Sequence, residues 1–314
     1  MEGKFKSLSL KDFQMRFPDE ESCKKYLAEK KWGNGFKCRR CNHHHYCSGG
    51  KPFMRQCTSC RYKESVTANT LFHKVKFRLV HAFFIVYLVA TNKKGISSTE
   101  LSRKLQIQQK TCWLFRLKVL QAMESKLTMG LEGNLEIIDF TLGKNKIKKN
   151  GQVKFVKKRV FMAIEKKGKG VSHMYAYYSK NKSSRELKKF VKKYIKEKSS
   201  IICPNWSSYK PLQLDFDVTF AQRKGKKNRM GLSKRIASSL KAWLRGMHGH
   251  AELLQYYLNE YSYRFNRNQM KEGIFDHLLE RMVEHKPRTY LDIITYHPNQ
   301  WVIPPHSTQI SPFP

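Results

Sequence analysis

The spacing of apolar and polar residues divides the chain into helical and extended segments. Residues 8–32 show a helical spacing, and Asp19 or Glu20 is suited to cap the helix that follows. The residues predicted on its buried face are Cys23, Tyr26 and Leu27. Two larger helical blocks are predicted at 76–123 and 231–285, and a Pro-rich tail follows the second.

Extended segments lie between the two helical blocks. Four runs are predicted strands, at 134–142, 156–165, 171–179 and 200–203. Ser183 and Glu186 form a capping box for an amphipathic helix that separates the last two strands. Three antiparallel strands, a crossover helix, a further strand and a late helical block predict an α/β fold with an RNase H-like core. Two basic stretches, 144–158 and 223–229, are predicted loops.

The first helical block contains a candidate helix-turn-helix. The apolar helix FRLVHAFFIVYLVA is followed by a turn, and Ser97 and Glu100 form a capping box for the next helix. A second turn precedes KTCWLFRLKVLQAM, a helix that is both basic and aromatic. Lys110, Arg116 and Lys118 on this helix are candidate DNA contacts. A plain helical bundle is the alternative, because no residue here is specific to DNA recognition.

The charge balance narrows the choice of partner. The chain has 62 Lys and Arg residues against 24 Asp and Glu residues, a formal net charge of +38. Such an excess opposes the compact state by self-repulsion, which favours a polyanionic partner, nucleic acid first and an acidic membrane surface second. The longest apolar stretch, 82–90, is about half the length of a membrane-spanning helix. The first residues resemble no secretory signal, so we expect a cytoplasmic protein.

The spacing of four cysteines predicts a metal site. Eight cysteines without a secretory signal favour metal binding over disulfides. Four of them form two CxxC pairs with fifteen residues between the pairs, and these are Cys38, Cys41, Cys57 and Cys60. Two such pairs close a tetrahedron of thiolates around Zn²⁺, as in a structural zinc ribbon. Cys47 and the histidines at 43–45 are alternative ligands in the loop between the pairs.

Longer strings carry a resemblance to a known family. They are RQCTSCRYKESVTANTLFHKVKF, ATNKKGISSTELSRKL, KTCWLF, AIEKKGKG, LKAWLRGMHGH and YSYRFNRNQMKEGIFDHLLERM. With these strings the chain resembles bacterial insertion-sequence transposases of the zinc-ribbon DDE group related to Merlin elements, over about residues 10–290. The resemblance implies that the zinc ribbon and helix-turn-helix bind the terminal repeats of a transposon. It also implies a domain for strand transfer, in which carboxylates hold two Mg²⁺ ions.

The acidic ligand positions that the resemblance implies are substituted in this chain. A family strand of the form V-E-V-D-E-F aligns with LEIIDF, which places Ile138 at the first ligand position. Pro204 stands at the second, where the family has T-D-G-W-x-x-Y, and Lys234 stands at the third. The basic residue that accompanies the three ligands is matched by Lys241, and Arg245 one turn further on is a candidate DNA contact.

Asp139 and Glu136 are the catalytic candidates that remain near the first position. Side chains alternate in a strand, so Glu136 shares the face of Ile138, and Asp139 points away unless a β-bulge turns it inward. Without a metal, Asp139 is only the polar end of a strand. Further acidic candidates are Asp215, Asp217 and Glu252. Mg²⁺ is expected only in an active enzyme with such displaced ligands.

The sequence thus predicts a transposase-family protein that binds transposon ends and is impaired in the DDE chemistry of transposition. An active DDE transposase with displaced ligands and a zinc-ribbon DNA-binding regulator are the alternatives. We expect it in a bacterial cytoplasm, associated with the nucleoid, and the sequence leaves its oligomeric state open, a homo-oligomer included. The predicted division is a helical lead-in (1–35), a zinc ribbon (36–70), a helix-turn-helix domain (71–128), an RNase H-like transposase domain (129–290) and a Pro-rich tail (291–314).

Overall fold

The computed structural model describes residues 8–124, 130–149, 152–179, 181, 183–221, 230–245 and 253–295. The first elements are α1 (Leu10–Arg16), α2 (Glu20–Trp32), β1 (Tyr46–Ser48), β2 (Met54–Cys57), β3 (Lys63–Ser65), α3 (Leu79–Thr91), α4 (Ser98–Leu105) and α5 (Gln109–Ala122). They are followed by β4 (Asn134–Lys149), β5 (Gln152–Lys167), β6 (Gly170–Ser179), α6 (Ser184–Tyr194), β7 (Ser200–Pro204) and β8 (Asp217–Ala221). The last helices are α7 (Gly231–Arg245), α8 (Leu254–Asn266), α9 (Gly273–Glu284) and α10 (Tyr290–Ile294).

Helix α2 begins where the sequence predicts. The Asp19 carboxylate accepts a hydrogen bond from the backbone N–H of Ser22 at 2.8 Å, and the Ser22 hydroxyl accepts one from the Asp19 N–H at 3.3 Å. This reciprocal pair satisfies two donors at the start of the helix. The predicted inner residues Cys23, Tyr26 and Leu27 are buried, which confirms this face of α2.

Helices α3, α4 and α5 form the predicted helix–turn–helix arrangement. The Ser97 hydroxyl caps α4 by accepting a hydrogen bond from the Glu100 N–H at 3.1 Å. Gln106 ends α4 in the left-handed conformation, with φ of 54°, and this turn sends the chain into α5. Leu117 and Leu120 of α5 are fully buried, as their shared helical face predicts.

A five-stranded sheet forms the centre of the second part of the chain. Its strand order is β6-β5-β4-β7-β8, with antiparallel pairs from β6 to β4 and parallel pairs from β4 to β8. Helix α6 connects β6 to β7 across the sheet, and the hydroxyl of Ser183 caps it as predicted. This order, with three consecutive antiparallel strands and a crossover helix, confirms the RNase H-like α/β core. The sequence did not predict the short edge strand β8.

Helices cover both faces of the sheet. Alternation along β4 sends Leu135 and Ile137 toward α6, into a cluster that includes Phe190 and Tyr209. The opposite face of β4 packs against α7 and α8, where Ile138 lies in a cluster with Leu240 and others. The two faces of β4 therefore lead to different environments, which decides where each candidate catalytic side chain lies.

The prediction of a loop at 144–158 is wrong. Strands β4 and β5 continue through this stretch, with paired residues from Lys144 opposite Lys157 to Lys149 opposite Gln152. The high lysine content indicated a loop, but the backbone of the two strands pairs through this stretch. The other predicted loop, 223–229, lies outside the described residues.

The N-terminal helices and the last helices share one core. Phe13 of α1 and Phe83 of α3 belong to the same hydrophobic cluster as Phe275 and Met282 of α9. The backbone N–H of Leu71 donates to the Met282 carbonyl at 3.0 Å, which ties the segment after the ribbon to α9. The division into five domains stays a prediction. Among the described helices, none combines the length and the apolar character needed to cross a membrane.

Candidate functional site

Four cysteine thiols converge at the base of the small β1–β2–β3 sheet. The sulfur atoms of Cys38 and Cys60 are 3.5 Å apart, and those of Cys41 and Cys57 are 3.6 Å apart. All four sulfur atoms lie within 4.8 Å of one another. A tetrahedral Zn²⁺ site with Zn–S bonds of about 2.3 Å requires sulfur atoms about 3.8 Å apart. The donor set and its spacing therefore fit zinc, with every ligand position taken by cysteine.

Two similar turns place these cysteines. In the first, the Cys38 N–H donates to the His43 carbonyl and the Asn42 N–H donates to the Cys38 carbonyl. In the second, the Cys57 N–H donates to the Tyr62 carbonyl and the Arg61 N–H donates to the Cys57 carbonyl. The backbone N–H of His43 lowers the pKa of the Cys41 thiol to about 6. Although the Tyr62 N–H favours the Cys60 thiolate, burial and the hydrogen bonds with the other three thiols raise the pKa of Cys60 to about 12, because neighbouring thiolates disfavour one another.

The alternative ligands in the loop lie outside this cluster. Cys47 is exposed, and its thiol faces the carbonyl of Gln56 at 3.7 Å. The His43 ring is hydrogen-bonded to the hydroxyl of Thr58 at 3.0 Å. Within the described residues, the four CxxC cysteines are the one group of three or more His, Cys, Asp or Glu side chains placed to share a metal.

The ribbon presents positive charge to its surroundings. Its single acidic residue between 36 and 66 is Glu64, which is buried and bound to Lys31 at 2.9 Å and to Arg39 at 3.3 Å. Because this carboxylate is already paired, it does not offset the other basic side chains of the ribbon. The remaining basic residues are Lys37, Arg40, Lys51, Arg55, Arg61 and Lys63.

The predicted DNA contacts of the helix-turn-helix lie in different environments. Lys110 is exposed at the start of α5. Arg116 is only 3% exposed, and its guanidinium donates to the Glu260 carboxylate at 3.1 Å. Lys118 is partly buried, and burial lowers the pKa of its amine. Arg245 is exposed at the end of α7. A DNA-contact role stays a prediction for all four, and the burial of Arg116 supports a structural role instead.

The three positions at which the resemblance implies metal ligands lie on β4, β7 and α7. Glu136 of β4 pairs with Ile202 of β7, and Ile138 and Pro204 each lie two residues further along these parallel strands. Ile138 is 7% exposed and packs in the cluster that contains residues of α7. Lys234 lies near the start of α7 and is exposed. That a hydrocarbon side chain, a pyrrolidine ring and a cation replace metal-binding carboxylates at these positions stays a prediction.

Asp139 lies on the opposite face of β4. Its carboxylate is 2% exposed, accepts a hydrogen bond from Arg159 at 2.7 Å and accepts another from the Tyr209 hydroxyl at 3.1 Å. Burial, together with the Asp139 charge, raises the pKa of Tyr209 well above its usual value. The pairing of β4 with β5 is regular around Asp139, and its bulge comes later, between Leu142 and Lys144. No bulge turns Asp139 toward Ile138, and the strand does not end there.

Glu136 shares the face of Ile138 but is held by α7. Its carboxylate accepts the backbone N–H of Ser233 at 3.2 Å, at the start of that helix. The amine of Lys166 lies 3.6 Å from the same carboxylate. This arrangement neutralises Glu136 and uses it as a helix cap. The amine of Lys241 lies 5.0 Å from the centre of the Phe140 ring, a cation–π contact.

The sequence patterns did not indicate the partners of these residues. Arg159 and Tyr209 come from β5 and from the 3₁₀ helix Ser207–Leu214, and neither is close to Asp139 in the chain. The register of β4 with β5 explains the contact with Arg159. Asp139 pairs with Phe161, so Arg159, two residues from Phe161, is diagonally opposite Asp139 on the same face of the sheet.

Comparisons with known proteins found two family models and several solved structures that are similar to the chain. The family model of the ISXO2-like transposase domain matches residues 132–266, and that of the transposase zinc-ribbon domain matches residues 18–63. The crystal structure of the Mos1 strand transfer complex matches at 9% identity and a TM-score of 0.26, covering 66% of this chain and 78% of that chain. That of a pre-cleavage Mos1 transpososome matches at 9% identity and a TM-score of 0.25, covering 65% of this chain and 78% of that chain. No curated protein matches the chain.

One family model matches the zinc ribbon and the other matches the five-stranded sheet. The ribbon model includes α2 and all four clustered cysteines, and the transposase model spans the five-stranded sheet together with α7 and α8. Together they cover more than half of the chain. The chain therefore belongs to the family of DNA-binding transposases in which a zinc ribbon precedes an ISXO2-like transposase domain.

Proposed function

We propose that this protein binds the terminal repeats of a transposon but does not cut or join DNA. The observation that carries the proposal is the chemistry of two positions: Ile138 of β4 and Pro204 of β7 each lie two residues beyond the pair of Glu136 with Ile202, and the resemblance implies a metal-binding carboxylate at both. Neither side chain has an oxygen donor for Mg²⁺. The cation of Lys234, at the position implied for the third ligand, would repel a divalent ion.

The acidic side chains close to these positions have other partners. Asp139 is bound to Arg159 and Tyr209 on the far face, and Glu136 is bound to Ser233 and Lys166. Of the downstream candidates, Asp217 accepts a hydrogen bond from Ser200, and Asp215 lies 3.8 Å from Lys188. Glu252 lies outside the described residues. The described side chains therefore do not fit a two-metal site.

The capacity to bind DNA rests on other features. Zn²⁺ held by the four cysteines would fix the ribbon, and the ribbon carries an excess of basic side chains. The net charge of +38 supports contact with many phosphates. A protein with this function would occupy transposon ends on the bacterial nucleoid and compete there with active transposases.

The test combines binding and cleavage on one substrate. A labelled duplex that contains the terminal repeats flanking the gene is incubated with the zinc-loaded protein and Mg²⁺ or Mn²⁺. We expect a complex whose affinity falls by about a thousandfold or more between about 50 and 200 mM salt, without strand breaks. Breaks that disappear in Asp139→Asn would show that a displaced ligand set is active. A triple variant places carboxylates at the implied ligand positions, with Ile138→Asp, Pro204→Asp and Lys234→Glu. Calorimetry compares its Mn²⁺ binding with that of wild type.

A further inference from the structure

The guanidinium of Arg55 lies close to two aromatic rings. Its central carbon lies 4.3 Å from the centre of the Trp32 ring and 4.0 Å from that of the Tyr46 ring. Trp32 is the last residue of α2, Tyr46 begins β1 and Arg55 lies in β2. Three elements thus meet at one planar cation, which is held by cation–π attraction to both rings.

The strand register explains how this arrangement forms. Ser48 pairs with Arg55, so Tyr46, two residues earlier on β1, is the diagonal neighbour of Arg55 on the same face. The Phe36 ring lies 5.2 Å from the Tyr46 ring and supports it from behind. Trp32 is almost fully buried, so its ring provides a fixed wall. The two ring contacts, which we call the Arg55 stack, therefore restrict the position of the guanidinium.

The N–H groups of this guanidinium have no acceptor among the described residues. Arg55 forms neither a hydrogen bond nor an ion pair with them, although Glu64 is its partner in the β2–β3 register. The Glu64 carboxylate is bound to Lys31 and Arg39 instead. A groove of about 620 Å³ opens beside the stack, lined in part by Ala28, Pro52, Phe53 and Met54. Arg55, Trp32 and Tyr46 themselves line this groove, so the groove gives a ligand access to the Arg55 side chain.

We propose that Arg55 contacts DNA through the edge of its guanidinium. A guanidinium edge donates two parallel hydrogen bonds to a pair of acceptors, either O6 and N7 of guanine in the major groove or two oxygens of a phosphate. Because the rings restrict the guanidinium before binding, little side-chain entropy is lost on contact. The basic ribbon around it attracts the duplex. The inference rests on the proposed function, since it names a residue that recognises the bound DNA.

The experiment compares matched variants of the full zinc-loaded chain. Arg55→Lys keeps the charge and loses the planar fork, and Arg40→Lys makes the same exchange at an exposed ribbon arginine. Tyr46→Leu removes one wall of the stack, whereas Tyr46→Phe keeps the ring. The probe is a pool of short duplexes with a randomised centre, from which each variant selects its preferred sequences before titration. Thermal midpoints of all variants are measured in parallel.

We expect Arg55→Lys and Tyr46→Leu to lose about tenfold or more in affinity at unchanged thermal midpoint, while Arg40→Lys and Tyr46→Phe bind much like wild type. If the acceptor is guanine, Arg55→Lys also loses the preference for G at one position of the selected sequences. Replacing that guanine with 7-deazaguanine then lowers the affinity of wild type but not that of Arg55→Lys. If it is a phosphate, the loss is equal for all sequences. Equal binding by Arg55→Lys and wild type overturns the inference, as does a loss that follows a lowered midpoint. Failure of wild type to bind any duplex would instead overturn the proposed function.

Discussion

Asp139 shows how the partners of a single residue limit its chemistry. The carboxylate sits in an apolar strand near the first ligand position of the family, yet alternation sends it to the face of Arg159 and Tyr209. Both donors already bind this buried carboxylate. Glu136 has the correct face but caps α7. Proximity to a ligand position along the sequence is therefore insufficient, because the face and the partners of the side chain decide its role.

At the residue scale, the zinc cluster gives a matched test. We expect Cys38→Ser to lose zinc and to weaken DNA binding, because the ribbon has little core of its own and metal binding is coupled to its folding. Cys47→Ser should keep both properties, since Cys47 is exposed and lies outside the cluster. Zinc content by mass spectrometry of the native protein and DNA affinity are the readouts. Full zinc content in Cys38→Ser would contradict the four-cysteine site.

At the element scale, the β4–β5 hairpin is the least expected feature. Beyond the pair of Thr141 with Arg159, neither β6 nor β7 pairs with the described part of the hairpin. The stretch 143–158 has seven lysines and no acidic residue, and Lys144 pairs directly with Lys157. Like charges at directly opposed positions destabilise a ladder, and a two-stranded ribbon is marginal alone. A duplex would relieve both problems, since its major groove admits a two-stranded ribbon.

Neutralising the hairpin should therefore change the salt dependence of DNA binding. We expect Lys144→Gln, Lys146→Gln and Lys148→Gln together to reduce the slope of log affinity against log salt by about 2 to 3. The control has the same change of charge on α6, with Lys188→Gln, Lys189→Gln and Lys192→Gln. Titrations at several salt concentrations measure both slopes. Equal slopes for the two triple variants would argue against a role of the hairpin in binding.

The contact between α1, α2 and α9 predicts a pH effect. Arg16 donates two hydrogen bonds to Asp276, at 2.5 and 2.8 Å, and the Tyr26 hydroxyl donates a third at 2.7 Å. Burial opposes the charged form of Asp276, but the hydrogen bonds from Arg16 and Tyr26 outweigh it and lower its pKa. A lowered pKa stabilises the fold above the unfolded value of about 3.9, and this stabilisation is lost as pH falls through the folded value.

Asp276→Asn should accordingly be less stable than wild type near neutral pH and should lose less stability on acidification. Thermal midpoints between about pH 3 and pH 7 test this. Zinc release at low pH affects both proteins, so the difference between them isolates Asp276. If the difference in thermal midpoint between Asp276→Asn and wild type is the same at every pH in this range, protonation of Asp276 is not coupled to unfolding.

At the scale of the whole molecule, a buried ion pair joins the N-terminal helices to the transposase domain. Glu260 of α8 is fully buried and binds Arg116 of α5 at 3.1 Å and Arg264 at 2.9 Å. Arg264 also donates to the Val89 and Asn92 carbonyls at the end of α3. Helix α8 in turn lies along β6, where Gln255 donates to the Ala176 carbonyl and accepts the Tyr178 N–H. These contacts couple the two parts mechanically.

Glu260→Gln should destabilise the whole chain by about 3–5 kcal/mol, because it leaves two arginines without their buried counter-charge. Glu280→Gln provides the control, since Glu280 pairs with Lys30 at an exposed position and should cost less than about 1 kcal/mol. Urea unfolding followed by tryptophan fluorescence and by circular dichroism measures both. Separate transitions for the two parts in wild type would contradict the coupling.

The sequence alone determined the elements whose cause is local. Each of these elements depends on residues within a few positions of one another. They are the helix caps at Asp19, Ser97 and Ser183, the periodicity of α2 and α5, and the two CxxC pairs. The order of strands and helices, together with the family resemblance, predicted the RNase H-like core, because few topologies accommodate that order. That Ile138, Pro204 and Lys234 replace metal ligands is a prediction from the resemblance alone.

Only the tertiary structure decided which distant groups meet. The extension of β4 and β5 depends on pairing between strands, and the association of α9 with α1 to α3 depends on contacts more than 180 residues apart. The same holds for Arg116 with Glu260 and for Arg55 between Trp32 and Tyr46. Local spacing shows that a side chain is basic or acidic. Whether it faces DNA, a metal or a buried counter-charge is set by elements that the chain brings together only when it folds.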